Sequence, residues 1–281
     1  MCQTTNRLVP GLALGLILVL GACSDNNNNN GNSGNPETGP DPVSIETPNA
    51  DRCEILDSEN CMFPWPSSAF TVSDDASVTG LRINLNRESM PANKQGVKVD
   101  VAEWNRNDGF SPSQMLLAQV PGVDMEQTGA PPITDLEQSL DTAAPVVVIR
   151  ASTGEQHLVF AELDVNTDDP SEQALIVRPM VQFERGERYI VALRNMRDAA
   201  GDLLEAPEVF RAFRDDTLTD NEAIEGRRDA MEDIFATLAD AGIARDELYL
   251  AWDFTIASVE NITERVLHIR DDAFASLGNA A

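Results

Sequence analysis

The chain has 281 residues, of which 42% are hydrophobic and 24% charged, which suits one large or two small folded domains. Its 47 Asp and Glu residues outnumber its 20 Lys and Arg residues, for a formal net charge of -27. Such a surface repels phosphate backbones and anionic lipid headgroups, so nonspecific nucleic-acid binding is excluded.

The amino-terminal segment has the organisation of an export signal. Arg7 precedes an apolar run over residues 8–22, which is shorter than the roughly 20 residues of a membrane-spanning helix. The run ends in LGAC, which resembles the lipobox of bacterial lipoproteins at every position. The resemblance implies that residues 1–22 are removed, that Cys23 is lipidated, and that the lipid holds the protein in a membrane. Serine after the cysteine indicates the outer membrane, on its periplasmic or cell-surface side. A plain signal peptide is the alternative.

Residues 23–50 are rich in Asn, Gly, Pro, Ser and Asp and contain few apolar residues. A segment of this composition cannot offset the entropy of ordering, so a disordered tether is predicted. As a flexible coil it reaches about 30 Å.

Two cysteines, Cys53 and Cys61, remain after the signal and the lipidation site. In the oxidising compartment of an exported protein, they are expected to form one disulfide. A metal pair is the alternative, but neither a C-x-x-C spacing nor a nearby histidine supports it.

The next segment, MFPWPSSAF, contains Phe63, Trp65 and Phe70 between prolines that exclude a helix. These aromatic residues either anchor the start of the folded domain to its core or form a ligand-stacking groove.

The pattern of apolar residues predicts a β-rich region over 51–215. Ser111 as N-cap and Pro112 at the first helical position predict a short helix. Short apolar or alternating runs predict strands at 79–85, 144–150, 157–163, 174–179, 187–194 and 208–214. The run at 144–150 is continuous and β-branched, which is typical of a strand buried on both faces. This spacing of strands favours a β-sandwich.

Residues 216–281 have a different character. Thr219 and Glu222 predict a capping box, followed by a helix that ends at Gly242. A strand is predicted over 247–258. Ser258 is expected to cap a last helix that ends at Gly278, with Ile262, Val266, Ile269 and Ala273 on one face. The predicted fold class is mainly β with helices (α+β), an Ig-like β-sandwich module followed by a helix-strand-helix segment.

The stretch from Pro179 to Leu204 resembles the bacterial Ig-like domains of secreted proteins. Its matching positions are Gly186, Tyr189, Val191, Leu193, Asp198, Gly201 and Leu204. The resemblance implies an Ig-like module over about 144–215.

A wider resemblance covers about residues 51–281. A cysteine-bounded loop, FPWPSSAFT, the Ig-like strands, RRDAMEDIFATLADAGIARDEL and LAWDFTIAS occur in that order. Together they are similar to the N-terminal region of large bacterial surface lipoproteins of the virulence-factor lipase type. In that family an α/β-hydrolase domain follows this region. The chain is therefore expected to be an incomplete piece of such a protein, with the hydrolase as its missing partner.

No catalytic residue is predicted. The nucleophile motif G-x-S-x-G does not occur, and GFSPS at 109–113 lacks the second glycine. The only histidines, His157 and His268, are expected to be structural or surface side chains rather than bases. Calcium is the one cofactor considered, because Asp164, Asn166 and Asp168 begin like a calcium loop. The glycine and the bidentate Glu of that loop are absent, so a solvated acidic turn is the alternative.

Five arginines are close together in the sequence and could form a partner-docking patch: Arg178, Arg185, Arg188, Arg194 and Arg197. The alternative is that they pair with neighbouring carboxylates along strand faces. The leading functional hypothesis is a lipid-anchored, non-catalytic module of a surface lipase-like protein. The alternative is a stand-alone surface binding or adhesion lipoprotein.

Overall fold

The structure is a computed structural model that describes residues 41–57 and 59–278, and these belong to one compact unit. The predicted signal peptide, the lipidation site Cys23 and the tether up to residue 40 lie outside the described residues. In the part of the chain that is described, no helix combines the length and apolarity needed to cross a bilayer.

Strands and helices are mixed along the described chain, which confirms the α+β class. The strands are β1 (Thr71–Ser73), β2 (Leu81–Ile83), β3 (Leu116–Gln119), β4 (Val146–Arg150), β5 (Val159–Leu163), β6 (Ala174–Pro179), β7 (Arg188–Arg194) and β8 (Leu248–Thr255). The helices are α1 (Met125–Thr128), α2 (Glu208–Arg214), α3 (Glu222–Glu225), α4 (Arg228–Asp240) and α5 (Val259–Leu277).

All strand pairs are antiparallel. The strand orders are β1-β2, β3-β6-β5 and β4-β7-β8. In the last sheet Val148 pairs with Val191, which pairs in turn with Trp252. The first four residues of β4 are buried, as predicted for a strand covered on both faces. Helices α2 and α4 pack against β8, and the two three-stranded sheets share one hydrophobic core.

The predicted strand over 208–214 is wrong, because these residues form α2. Its buried residues are Val209, Phe210, Ala212 and Phe213. Their spacing matches the 3.6-residue period of a helix rather than the two-residue period of a strand. Pro207 immediately before the helix is compatible with this start, since it lacks only an N–H that a helix end leaves unpaired.

The helix predicted from Ser111 is also wrong. Residues Leu116–Gln119 form β3 and pair with β6, with Leu117 opposite Ile176. Leu116 and Ala118 are buried while the residues after them are half-buried, which is the alternation of a strand. Ser and Pro are preferred at the start of a helix, but here the pairing of residues 116–119 with β6 determines the structure.

The predicted capping box at Thr219 and Glu222 is wrong, because neither residue caps the helix. Asn221 caps α3, since its Oδ1 accepts hydrogen bonds from the backbone of Ala223 and Ile224. The Thr219 hydroxyl instead donates to the Glu225 carboxylate at 2.7 Å. The expected single helix is therefore divided into α3 and α4.

The Glu225 carboxylate should make the free energy of unfolding depend on pH. Hydrogen bonds from Arg228, then from Thr219, lower its pKa from 4.5 to about 2. Because the folded pKa is lowered, the stabilisation is complete above about pH 4.5 and is lost as the pH falls towards 2. We expect Glu225→Gln to cost about 1–2 kcal/mol at pH 7, after allowing for solvent screening.

Urea unfolding of both proteins from pH 7 to pH 2 measures this difference, which should shrink to near zero at the acidic end. Glu222→Gln in the same short helix is the control, because its side chain is exposed and should change stability by less than about 0.5 kcal/mol. A difference that stayed constant with pH would contradict the role of the Glu225 charge.

The residues of the Ig-like motif have structural roles. Gly186 and Gly201 have φ of +77° and +83°, which glycine adopts at low cost in turns. The buried Tyr189 hydroxyl accepts a hydrogen bond from Glu184 N at 2.9 Å, and Asp198 accepts from the backbone of its own turn. An Ig-like sandwich is not confirmed, however, because the last segment of the module is α2 and β7 pairs with β8 from outside it.

The folded unit extends beyond both domain boundaries that the sequence indicated. Upstream of residue 51, Val43 N donates to Leu218 O at 2.9 Å, and Asn221 Nδ2 donates to Ile45 O at 2.7 Å. The residues just before 51 are therefore attached to the domain. Downstream of residue 215, β8 completes the sheet of β4 and β7, so the two predicted segments share one core.

The predicted disulfide is present between Cys53 and Cys61. The loop that it closes is also held by a hydrogen bond from Glu54 N to Cys61 O, 2.9 Å long. Both links lie immediately before the aromatic segment.

Candidate functional site

An apolar groove of about 640 Å³ lies between the aromatic segment, the loops before β3 and the start of α5. This volume is in the range of small-molecule sites in proteins. Its aromatic lining residues are Phe63, Trp65, Trp104 and Phe110. Trp65 and Phe110 are in edge-to-face contact, with ring centroids 5.2 Å apart. The sequence left two roles open for the aromatic segment, and the structure divides them: Phe70 is buried in the core, while Phe63 and Trp65 line the groove.

One wall of the groove is fixed by strand-like pairing. Trp65 and Leu117 exchange two backbone hydrogen bonds of 2.8 and 2.7 Å, which attach the aromatic segment to β3. Pro91 and Val99 also line the groove, at the two ends of a turn that is closed by pairing of Ala92 with Lys98.

The floor of the groove lies where Gly109 and Phe110 cross the end of β8. Phe110 N donates to Thr255 O, and Ala257 N donates to Phe110 O, both at 2.9 Å. A Cβ on Gly109 would lie 2.5 Å from Ala257 N, so only glycine allows this close backbone approach.

The start of α5 is fixed beside the groove by Asp108 and Ser258, both buried. Asp108 Oδ1 accepts a hydrogen bond from Ser258 N at 3.0 Å, and Ser258 Oγ caps the helix by accepting from Asn261 N at 3.1 Å. Asn261, Ile262 and Arg265 thereby become part of the groove wall.

Two polar atoms near the groove lack partners. Gln114 Nε2 and Asn261 Oδ1 are inaccessible to solvent and have no hydrogen-bond partner among the described residues. Both residues line the groove. A buried donor or acceptor left unpaired costs about 1–3 kcal/mol, so such atoms require an explanation.

The groove is almost uncharged, because Arg265 is its only charged lining residue within the described part of the chain. Arg265 is itself paired with Glu103 at 3.0 Å. Both side chains of this pair are exposed, so the pairing is weak.

Helix α5 projects with none of its residues buried. Six of its apolar residues recur at intervals of three or four, which places them in one stripe. They are Val259, Ile262, Val266, Ile269, Ala273 and Leu277. Val266 and Ile269 are each 60% exposed, and Leu277 is 64% exposed. The sequence correctly predicted this stripe and both ends of the helix, but a stripe of this kind normally packs on a core.

The five arginines considered for partner docking each have partners within the domain. Arg178 pairs with Glu162, and Arg188 pairs with Asp253 and Asp233 at 2.6 and 2.5 Å.

The other three bond mostly to backbone or amide oxygens. Arg194 is buried and donates to Ala144 O at 2.7 Å, Arg197 donates to Gly201 O at 2.6 Å, and Arg185 donates to the Gln182 side chain at 3.3 Å. Arg188 and Arg194 lie at opposite ends of β7. These contacts favour the structural alternative, and docking by this set stays a prediction.

The acidic loop considered for calcium connects β5 and β6. Asp164 Oδ1 accepts hydrogen bonds from Asn166 N and Nδ2, at 3.1 and 2.6 Å, as in a local turn. Across residues 41–57 and 59–278, no group of three or more His, Cys, Asp or Glu side chains, Asp168 included, is placed to hold a metal ion. These hydrogen bonds are those of an acidic turn, which was the alternative to a calcium loop.

His157 packs into an aromatic cluster. Its ring stacks on Phe183 with centroids 4.4 Å apart, and its Nε2 is 3.0 Å from Val181 O. Burial lowers the pKa of His157. His268 lies on the exposed surface of α5. In the described part of the chain, neither imidazole is hydrogen-bonded to a hydroxyl or thiol.

Comparison of the chain with protein-family models, curated proteins and solved structures finds no match. The groove was not predicted as a whole, because its walls come from four separate stretches: residues 62–65, 83–91, 99–117 and 257–265. Only the prolines and aromatics of the first stretch gave a signal.

Proposed function

We propose that this protein is a lipid-anchored, exported, non-catalytic module that docks a hydrolase domain through the apolar stripe of α5. The observation that carries the proposal is that stripe, which lies on a 19-residue helix with no buried residue. An exposed apolar surface of this extent is typical of a protein interface. The lipobox at Cys23 and the similarity to lipase-type lipoproteins supply the anchor and the identity of the partner.

A second candidate function is a stand-alone binding lipoprotein of the outer membrane. The apolar groove, which has the volume of a small-molecule site, favours it. In this case the ligand is small and the α5 stripe serves another contact.

The nucleotide sequence beyond the codon for Ala281 tests the first proposal directly. An open frame that encodes a G-x-S-x-G elbow is the expected result. A stop codon there, with no hydrolase on the same transcript, would overturn the proposal.

The purified chain itself is expected to hydrolyse p-nitrophenyl butyrate no faster than buffer, and turnover by the chain would contradict a non-catalytic role.

The double substitution Val266→Glu with Ile269→Glu tests the docking surface. Burial of these side chains contributes about 1.5–3 kcal/mol each, so their replacement should weaken binding of the hydrolase domain by at least about 100-fold. Surface plasmon resonance with the immobilised hydrolase domain measures the loss. The control is His268→Glu, which adds the same charge away from the apolar stripe of α5 and should change affinity less than about threefold.

A further inference from the structure

An acidic pocket of about 270 Å³ lies between the loop closed by the disulfide, the start of α2 and β8. We propose that it binds a linear aliphatic polyamine, in which amine groups are separated by short alkyl chains. The proposal does not depend on docking by α5, because none of the described residues that line the acidic pocket belongs to α5 or lines the apolar groove.

The charges of the acidic pocket all have one sign. Its described lining residues include five carboxylates and no basic side chain: Glu46, Asp57, Glu59, Glu205 and Glu208. Glu205 pairs with Arg211, whereas the other four form no salt bridge within residues 41–57 and 59–278. Because these four negative charges repel one another, the acidic pocket favours a cation.

Asp57 is the carboxylate whose charge is least compensated. Burial raises its pKa, although the carboxylate accepts hydrogen bonds from Asn60 N at 2.8 Å and from Glu59 N at 2.9 Å. The hydrogen bonds of the loop therefore do not replace the water that the Asp57 carboxylate has lost. A bound cation would supply the missing compensation.

Tyr249 distinguishes the acidic pocket from an ordinary acidic surface. It is only 6% exposed, and it lines the acidic pocket from β8. Leu248 and Leu250 pair with adjacent residues of β7, so Tyr249 between them is an extra residue that bulges from the sheet. Bulges of this kind redirect a side chain and are common beside functional sites.

The hydroxyl of Tyr249 makes no hydrogen bond to any described residue, yet it is not among the atoms of this region that are sealed from solvent. Burial, and then the negative charge of Asp57, raise the pKa of Tyr249 to about 12. The phenol is therefore neutral, and it lies close enough to Asp57 to be influenced by that charge. An N–H group bound beside Asp57 would give the hydroxyl the partner that it lacks.

The spread of the carboxylates selects a polyamine over a metal ion. Calcium and magnesium require about six converging oxygen ligands. In the described part of the chain, no group of three or more His, Cys, Asp or Glu side chains is placed to hold a metal ion. The five carboxylates come instead from three separate segments, so a ligand whose positive charges are also separated matches them.

The walls between the carboxylates are apolar. Ile55, Val209 and Leu250 are among the lining residues, together with three prolines. Such walls suit the methylene groups of a polyamine, which gain free energy when they leave water. The volume is close to the lower end of the range for small-molecule sites.

The test uses the full chain in a nonionic detergent with about 150 mM NaCl, which screens attraction to the acidic surface as a whole. Titration calorimetry compares spermidine with magnesium chloride and with n-butylamine, which carries a single amine. We expect one saturable site for spermidine, with an affinity at least about tenfold higher than for either comparison ligand.

Tyr249→Phe removes only the unpaired hydroxyl. Stability should be unchanged or higher, while the affinity for spermidine should fall about three- to tenfold. The control is Tyr189→Phe, because the Tyr189 hydroxyl accepts a hydrogen bond from Glu184 N at 2.9 Å and lies outside the acidic pocket. It should lower stability and leave binding unchanged.

The location of the site can be read directly, since Tyr189 and Tyr249 are the only tyrosines of the chain. With ring-labelled tyrosine, spermidine should shift the NMR signals of one tyrosine. Those signals should be absent from the spectrum of Tyr249→Phe.

A pair of double variants separates the acidic pocket from the overall charge. Glu59→Gln with Glu208→Gln should weaken spermidine binding at least about tenfold. Glu126→Gln with Glu137→Gln makes the same change of net charge at exposed positions outside the acidic pocket, and it should change the affinity less than about twofold.

Several results would overturn the inference. One is the absence of saturable binding of spermidine, and another is binding of magnesium or n-butylamine as tight as that of spermidine. Equal losses in the two double variants would show attraction to the whole surface, and unchanged affinity in Tyr249→Phe would exclude the hydroxyl. A dilysine peptide with blocked ends that bound more tightly than spermidine would replace the free polyamine by a basic protein segment.

Discussion

Replacement of Glu54 by Ala should lower the free energy of unfolding by about 3 kcal/mol or more. The Glu54 side chain is fully buried and accepts hydrogen bonds from the Arg227 guanidinium and, at 2.5 Å, from Ser67 Oγ. Breaking a buried ion pair leaves the partner charge without compensation, at a typical cost of 3–5 kcal/mol. The lower part of this range applies because the Arg227 side chain is 24% exposed and can recover some hydration.

Urea unfolding under oxidising conditions, so that the disulfide stays intact, measures this loss. Glu59→Ala in the same loop is the control, since that side chain is exposed and should change stability by less than about 0.5 kcal/mol. Equal stability of the two variants would show that the Glu54–Arg227 pair does not hold the disulfide loop to the start of α4.

Trp252→Ala is expected to cost about 3–5 kcal/mol, the largest loss from a single core residue. Trp252 lies in β8, is fully buried, and donates from Nε1 to Pro66 O at 2.9 Å. The side chain therefore fills the core and also fixes the segment that carries Trp65 to the groove.

Trp252→Phe separates the two contributions. It keeps most of the packing but leaves Pro66 O without its donor, so a loss of about 1–3 kcal/mol is expected. Thermal unfolding of both variants gives the comparison. If Trp252→Phe were as destabilising as Trp252→Ala, the hydrogen bond rather than the packing would be the main contribution.

The sequence predicted elements best where local chemistry and tertiary packing agree. The β-branched run at 144–150 gave β4, and Ser258 and Gly278 gave both ends of α5. Prediction from the sequence failed where a local helix-start signal competed with strand pairing between distant residues. Ser111 and Pro112 resembled a helix start, but pairing with β6 made the following residues a strand.

The α2 error has a different origin. Four of its seven residues are apolar and adjacent in pairs, and such a short run fits a strand almost as well as a helix. Only the structure shows that all four are buried, which a helix allows and an alternating strand does not. The α5 stripe could be predicted, but its exposure could not, because the pattern alone does not tell what covers an apolar face.

The groove could not be predicted for a topological reason. Gln114 and Asn261, which both line it, are about 150 residues apart in the sequence, and the contact of Gly109 and Phe110 with the end of β8 brings their segments together. Polar residues in isolation carry no sequence signal for burial. Their status as unpaired donor and acceptor emerges only from the folded arrangement.

The turn that forms one rim of the groove has a practical chemical consequence. Lys94 and Lys98 are the only lysines of the whole chain, and both belong to this turn between Pro91 and Val99. Side-chain-directed amine reagents can therefore attach only in this turn, whose end residues Pro91 and Val99 line the groove. An environment-sensitive dye coupled there would report on the groove without any engineered cysteine, and a surface coupled there would hold every molecule in a similar orientation.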